Sequence, residues 1–394
     1  MNINPSIIRS IRMSAFIGTT MLIATQVSAA DNQFTERFDF EPGQTLSLDL
    51  SVGGSIKIEG WDQAGIEVTY GDEQTSLDHY KIDIVNGSGG LSVDASSIER
   101  INQSSLFFEF KAPREMILDL YTAGGSVELS GLEGEFSGKT GGGALRLDDL
   151  VGQVDLRTGG GRILVQNSTL DGKVRTGGGK VLVENVTGDI QASSGGGTVT
   201  FRKVYGNDGS ILSPNKSKLE DASEETVLIS NAGGKIKVDA APEGADVYTG
   251  GGNIRVKGAD RFVSARTGGG DVEIDLLAGW VNAGTGAGEI EVFVAENATH
   301  NGDIKLTSGT GDILLTLPAD FSMDLSVELG VTNNSSDKFT LNSDFDIDIE
   351  IDDEWDYSRG TPRKYTNGSA NLNGGNHRVV IHTTNGNVTI RKSN

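Results

Sequence analysis

The chain has 394 residues, of which 55 are glycine, 7 proline and none cysteine, with 6% aromatic residues and a net charge of −22. The lack of cysteine excludes disulfide stapling and lipoprotein attachment. So acidic a balance excludes nucleic acid and anionic membrane surfaces as general partners unless a local basic face exists.

Residues 1–30 read as an export signal. Arg9 and Arg12 form a short basic start, Phe16 to Ala24 an apolar run, and Val27-Ser28-Ala29-Ala30 a small-residue cleavage region. The run is too short and too interrupted by Gly18, Thr19 and Thr20 for a transmembrane anchor, so no membrane span is expected in the mature chain. The expected compartment is the periplasm, the cell surface or the medium.

Residues 31–121 read as an N-terminal cap with degenerate, double-length coils, in which Ser51-Val-Gly-Gly-Ser-Ile-Lys-Ile and Asn86-Gly-Ser-Gly-Gly-Leu-Ser-Val are variants of a phrase that later becomes regular. That phrase is Thr-Gly-Gly-Gly on a lattice of 18 residues, with its Thr, Ser or Asn at Thr122, Thr140, Thr158, Thr176 and Ser194, then Asn231, Thr249, Thr267 and Thr285. A fixed period with glycine punctuation signals stacked units, because one unit cannot bury its apolar face alone. Residues 122–201 form the first array, 202–230 an irregular coil or loop, 231–329 the second array, and 330–394 an acidic insertion and C-terminal cap.

Within one repeat the apolar positions alternate, as Ile163 and Val165 do between Arg162, Leu164 and Gln166, which is the period of a half-buried strand. A second strand follows a second turn, as Val154 and Leu156 follow Gly152, so each repeat holds two strands and two turns. Equivalent residues should stack into apolar ladders: Leu145, Ile163, Val181 and Val199 in the first array, Ile236, Ile254, Val272 and Ile290 in the second. The expected fold is an all-β, right-handed parallel β-solenoid of mostly 18-residue coils with capped ends. The terminal strands Val379 to Ile390 are expected to close the stack. Glycine triplets that lead into strands are turn glycines, not phosphate loops, which need Gly-Lys-Ser/Thr opening a helix.

With the segment Gly54 to Thr69, GSIKIEGWDQAGIEVT, followed by TGGGxIxV units, the chain resembles the putative-adhesin family of unknown-function domain 4097 over residues 40 to 320. The resemblance implies an exported bacterial β-solenoid and supplies no catalytic residues.

No catalytic constellation stands out. Asp148-Asp149 and Asp352-Asp353 are adjacent pairs, and His79, His300, His377 and His382 lack metal-helix spacing, so neither catalytic residue nor cofactor is assigned. The alternatives to a non-catalytic, adhesin-like binding scaffold are a polysaccharide lyase or hydrolase on the same fold and a purely structural envelope protein. Two surface features remain. Asp344, Asp346, Asp348, Glu350 and Asp352 are expected on the outer face of a strand whose Phe345, Ile347, Ile349 and Ile351 point inward, and are weak cation candidates. Arg162, Lys180, Lys235, Lys237 and Arg255 lie on an outward face that turns acidic at Asp271, Glu273, Glu289 and Glu291. They form an expected strip for an acidic glycan or an envelope protein.

Overall fold

The computed structural model describes residues 26–28, 33–74, 76–99, 105–205, 227–241, 244–276, 278–295, 301–335, 337–358 and 360–393. The export signal expected over residues 1–30 lies outside these, save for 26–28, as does stretch 206–226 of the expected irregular segment. The protein is all-β, and among the described residues the only helical element is a 3-10 turn at Leu77–His79. It divides into two compact units, Met1–Gln191 and Ala192–Asn394.

In the first unit, Val127–Thr140, Leu145–Thr158 and Ile163–Thr176 are strands of 14 residues each, joined by four-residue turns. They run parallel and in register at the 18-residue offset, with Leu129 opposite Leu147 and Leu147 opposite Val165. The repeats share a bend at one lattice position, held by a residue in the left-handed region: Gly131 at φ 65°, Asp149 at 54°, Asn167 at 49° and, in the following repeat, Asn185 at 55°. Asn and Asp tolerate that conformation better than other side-chain-bearing residues. Across the bend the side chains are strung together, Asn167 Nδ2 donating to Asp148 Oδ1 at 2.9 Å and Asn185 Nδ2 to Asn167 Oδ1 at 2.9 Å. In these three repeats one long bent strand therefore replaces the two short strands expected, while the repeat of Asn185 keeps two, Val181–Thr187 and Ile190–Ser194.

The bend also adds an inward position. In the repeat from Leu145 the buried set is Leu145, Leu147, Leu150, Val154 and Leu156. At the added position Ser168 stands in for Leu150, and its hydroxyl is satisfied by donating to Gln166 O at 2.5 Å and accepting from Leu150 N at 3.1 Å.

The start of this unit is out of sequence order. Thr45–Leu50 lies parallel between Gly90–Ser97 and Glu115–Thr122, and Ser55–Trp61 pairs parallel with Leu106–Pro113 and with the start of Val127–Thr140. Antiparallel pairs finish the end: Gln33–Phe38 with Ile66–Asp72, Ile66–Asp72 with Leu106–Pro113, and Tyr80–Gly87 with Gly90–Ser97. The glycines after Asn86 thus make a hairpin turn rather than a degenerate coil.

The second unit repeats the parallel register with two shorter strands per repeat, through Ala245, Val263 and Val281 on one side and Ile236, Ile254, Val272 and Ile290 on the other. Val199 pairs directly with Ile236, so the segment between them adds no rung to that ladder. The C-terminal strands do not close the stack as expected. His377–Thr384 lies between Asn301–Ser308 and Met323–Thr332, and Val388–Lys392 between Ile313–Leu317 and Leu341–Ser343. Beyond them Arg363–Leu372 runs antiparallel to Met323–Thr332, and Asp348–Ile351 antiparallel to Arg363–Leu372.

Candidate functional site: the basic borders of the glycine turns

Apart from the turn of Asn231, the glycine turns are built around a buried hydroxyl. Thr158 Oγ1 donates to Gly143 O of the preceding repeat at 2.8 Å and accepts from its own Gly161 N at 3.1 Å. Thr140, Thr249, Thr267 and Thr285 repeat both bonds. Buried backbone groups are thereby satisfied across repeats.

The first and third glycines are steric necessities. A Cβ on Gly159 would stand 2.0 Å from Gly141 O, and one on Gly161 would stand 1.9 Å from Gly143 O. The middle glycine is different, since a Cβ on Gly142, Gly160 or Gly178 meets nothing within 4 Å. In the second unit Ala287 and Thr310 occupy that slot. The turns are consumed by architecture, and their chemistry lies at their borders.

In the first unit both borders are basic. Lys139, Arg157 and Arg175 immediately precede the threonines and are register partners on successive repeats. Arg162 and Lys180 follow the glycines, whereas Arg146 lies beyond the turn of Thr140, in the strand, opposite Glu128 and Leu164. All six are exposed. The stretches 139–146, 157–162 and 175–180 contain no carboxylate. Neighbouring repeats lie about 4.8 Å apart, so the border before the threonines presents a column of three closely spaced cations and the border after the glycines a pair, Arg162 and Lys180. Lys139 sits over the Tyr121 ring, 4.8 Å from its centroid, and no ion pair holds Arg157, Arg162, Arg175 or Lys180 among the described residues. Sequence reasoning followed only the border after the glycines. The residue before each threonine was the missed signal.

Of the expected strip, Arg162 and Lys180 lie in the first unit, and Lys235, Lys237 and Arg255 in the second. All five side chains are exposed. Arg255 is engaged, its Nη2 lying 2.8 Å from Glu273 Oε1 of the next repeat. Where the face turns acidic the carboxylates do structural work, Asp271 accepting from Asn253 Nδ2 at 2.8 Å and from Glu289 N at 3.1 Å. The sign reversal therefore provides cross-repeat pairs and caps as well as like-charge neighbours.

The acidic segment departs from expectation. Phe345 is buried, but Ile347 is half-buried and Ile349 and Ile351 are 49% and 68% exposed, so the inward alternation stops after Phe345. The strand is a lone edge with no layer packed over its isoleucines. Asp344 is tied back to the C-terminal strand, accepting from Lys392 N at 3.1 Å. Among the described residues no group of three or more His, Asp or Glu is arranged so that it could hold a metal ion, those around Asp344, Asp346, Asp348, Glu350 and Asp352 included. His382 Nδ1 pairs with Glu328 Oε1 at 2.9 Å, His79 with Glu99 at the surface, His377 packs against Phe321, and His300 lies outside the described residues.

No helix among the described residues is long and apolar enough to cross a membrane. No family model matches the chain, and no curated protein matches it. Similar solved structures include a putative adhesin from Bacteroides fragilis, at 11% identity and a TM-score of 0.27 over 66% of this chain and 97% of that one. They also include a putative lipid binding protein from Parabacteroides distasonis, at 13% identity and 0.26 over 70% and 97%. A third is a putative cell adhesion protein from Clostridium sporogenes, at 9% identity and 0.18 over 91% and 99%. Likenesses of this size assign no function, which rests on this chain's own residues.

Proposed function

We propose that the chain is an exported, right-handed β-solenoid acting as a non-catalytic, adhesin-like scaffold of the cell envelope, which holds an acidic polysaccharide along the basic borders of its glycine turns. The in-register pairing at the 18-residue offset supports the solenoid reading, and right-handed crossovers are the general preference of parallel strands. The observation that carries the binding reading is the column of Lys139, Arg157 and Arg175 with Arg162 and Lys180 across the same turns, five exposed cations without a carboxylate in their turns on a chain of net charge −22. A basic track that persists against such a background attracts an anionic polymer locally while the whole molecule repels unspecific ones. Uronic-acid chains suit it, because they present one carboxylate per sugar along an extended backbone.

The test replaces Arg157, Arg162, Arg175 and Lys180 together by Gln and measures binding of polygalacturonate by calorimetry at two salt concentrations. The wild type should bind more weakly at high salt and the variant at least tenfold more weakly than wild type, with an unchanged melting curve, since exposed charges are screened and contribute little to folding. Lys235→Gln, Lys237→Gln and Arg255→Gln form a second set that reports whether the second unit contributes. Equal binding by wild type and the first variant removes the reading. Release of reducing ends or unsaturated products, abolished by a single carboxylate change, would replace it with an enzyme.

A further inference from the structure

The last strand of the second unit is open on one side. Asp348–Ile351 pairs with Arg363–Leu372 in the register Asp348 opposite Ser369 to Ile351 opposite Thr366, and among the described residues it has no other strand neighbour. Asp352 N donates to Tyr365 O at 2.8 Å in the same register. Antiparallel ladders alternate bonded and non-bonded pairs, so Glu350 and Asp352 spend their backbone groups on the sheet while those of Ile349 and Ile351 point to the open edge. The two residues with free N–H and C=O groups are also the two whose aliphatic side chains are 49% and 68% exposed. The chain continues into Trp355 and Tyr357, 38% and 71% exposed.

An edge with unsatisfied backbone groups and bare isoleucines is a template for another strand. Charges ordinarily protect such edges, and Asp344–Asp356 carries eight carboxylates with no Lys or Arg. Protection of one sign is selective: a second copy of this edge is repelled, whereas a strand with Lys or Arg at alternate positions is attracted. Side chains of Asp348, Glu350 and Asp352 lie on the face opposite Ile349 and Ile351, so the matching segment alternates apolar and basic residues.

We propose that this edge takes up a basic, extended polypeptide segment of a partner protein as an added β-strand, bonded to the backbone of Ile349 and Ile351, with apolar residues over the isoleucines and basic residues against Asp348, Glu350 and Asp352. Main-chain bonds then supply affinity and the alternating side chains specificity. This surface is separate from the basic borders, and its test does not depend on glycan binding.

The experiment measures fluorescence anisotropy of a labelled Lys-Val-Lys-Val-Lys-Val-Lys peptide with the full chain, beside a peptide of the same length and charge with Pro in place of Val. The alternating peptide should bind at least tenfold more tightly than the Pro peptide, because proline cannot continue a ladder. Ile351→Pro removes an N–H that the fold does not use and should cost tenfold or more in binding while circular dichroism and the melting temperature stay as in wild type. Ile349→Lys, which keeps the backbone but adds repulsion, should weaken binding likewise and stands in should the proline variant misfold. Equal binding of the two peptides overturns strand addition in favour of unspecific charge attraction, and equal binding of wild type and Ile349→Lys overturns this edge as the place of binding. Stoichiometric binding of calcium that displaces the peptide overturns it in favour of a cation site.

Discussion

At the scale of single residues the turn phrase separates into three demands: a buried hydroxyl that bonds across and within repeats, two glycines pressed against the previous repeat's carbonyls, and a middle glycine that nothing touches. Gly161→Ala should cost about 3 kcal/mol or more, since its Cβ collides with backbone that cannot move independently. Gly160→Ala should be neutral or stabilise by up to about 1 kcal/mol, because it enters open space and restricts the unfolded chain. Urea melts of the two variants make the comparison. Asn231 occupies the threonine position but leaves its Oδ1 buried without a partner while its Nδ2 reaches Gly197 O at 3.0 Å. Asn231→Thr should stabilise the second unit by about 1 kcal/mol by supplying the hydroxyl that accepts from the turn, read as a higher urea midpoint. The threonine and the glycines were visible in the sequence. Which glycines were obligatory was not, because that depends on the distance to a neighbouring repeat.

At the scale of elements the ladders expected from the sequence are present: Ile163 pairs with Val181 and Val165 with Val183, and both valines are buried. Val183→Asp should abolish the cooperative unfolding transition of the first unit, since an unpaired carboxylate would enter a continuous apolar column; tryptophan fluorescence of Trp61 follows it. The bend was not read from the sequence, although Asp149, Asn167 and Asn185 recur at its lattice position, because Asn and Asp are equally common in ordinary turns. Asn167→Val should cost about 2 kcal/mol or more through the strain of a β-branched residue at φ 49° and the loss of both side-chain bonds, whereas Asn167→Gly should cost less. Thermal melts that rank the two variants the other way would mean the bend is not under that constraint.

At the scale of the molecule each unit keeps its repeats in order along most of its length and departs from order at one end. In the second unit the strands His377–Thr384 and Val388–Lys392 are inserted between earlier ones rather than placed last. A variant ending at Asn376 should therefore lose the neighbours of four strands and become protease-sensitive throughout the second unit, whereas removal of a terminal pair would leave the remainder resistant; limited proteolysis distinguishes the outcomes. The sequence by itself determined the repeat length, the inward ladder and the chemistry of the turns, because those arise from contacts between residues at one recurring offset. Tertiary structure alone decided the strand order at the two ends and the exposure of Ile349 and Ile351. The ends are held by pairings such as Leu306 with Ile381 and Ile58 with Phe110, which follow no lattice, and an alternating strand buries its apolar face only if another layer covers it.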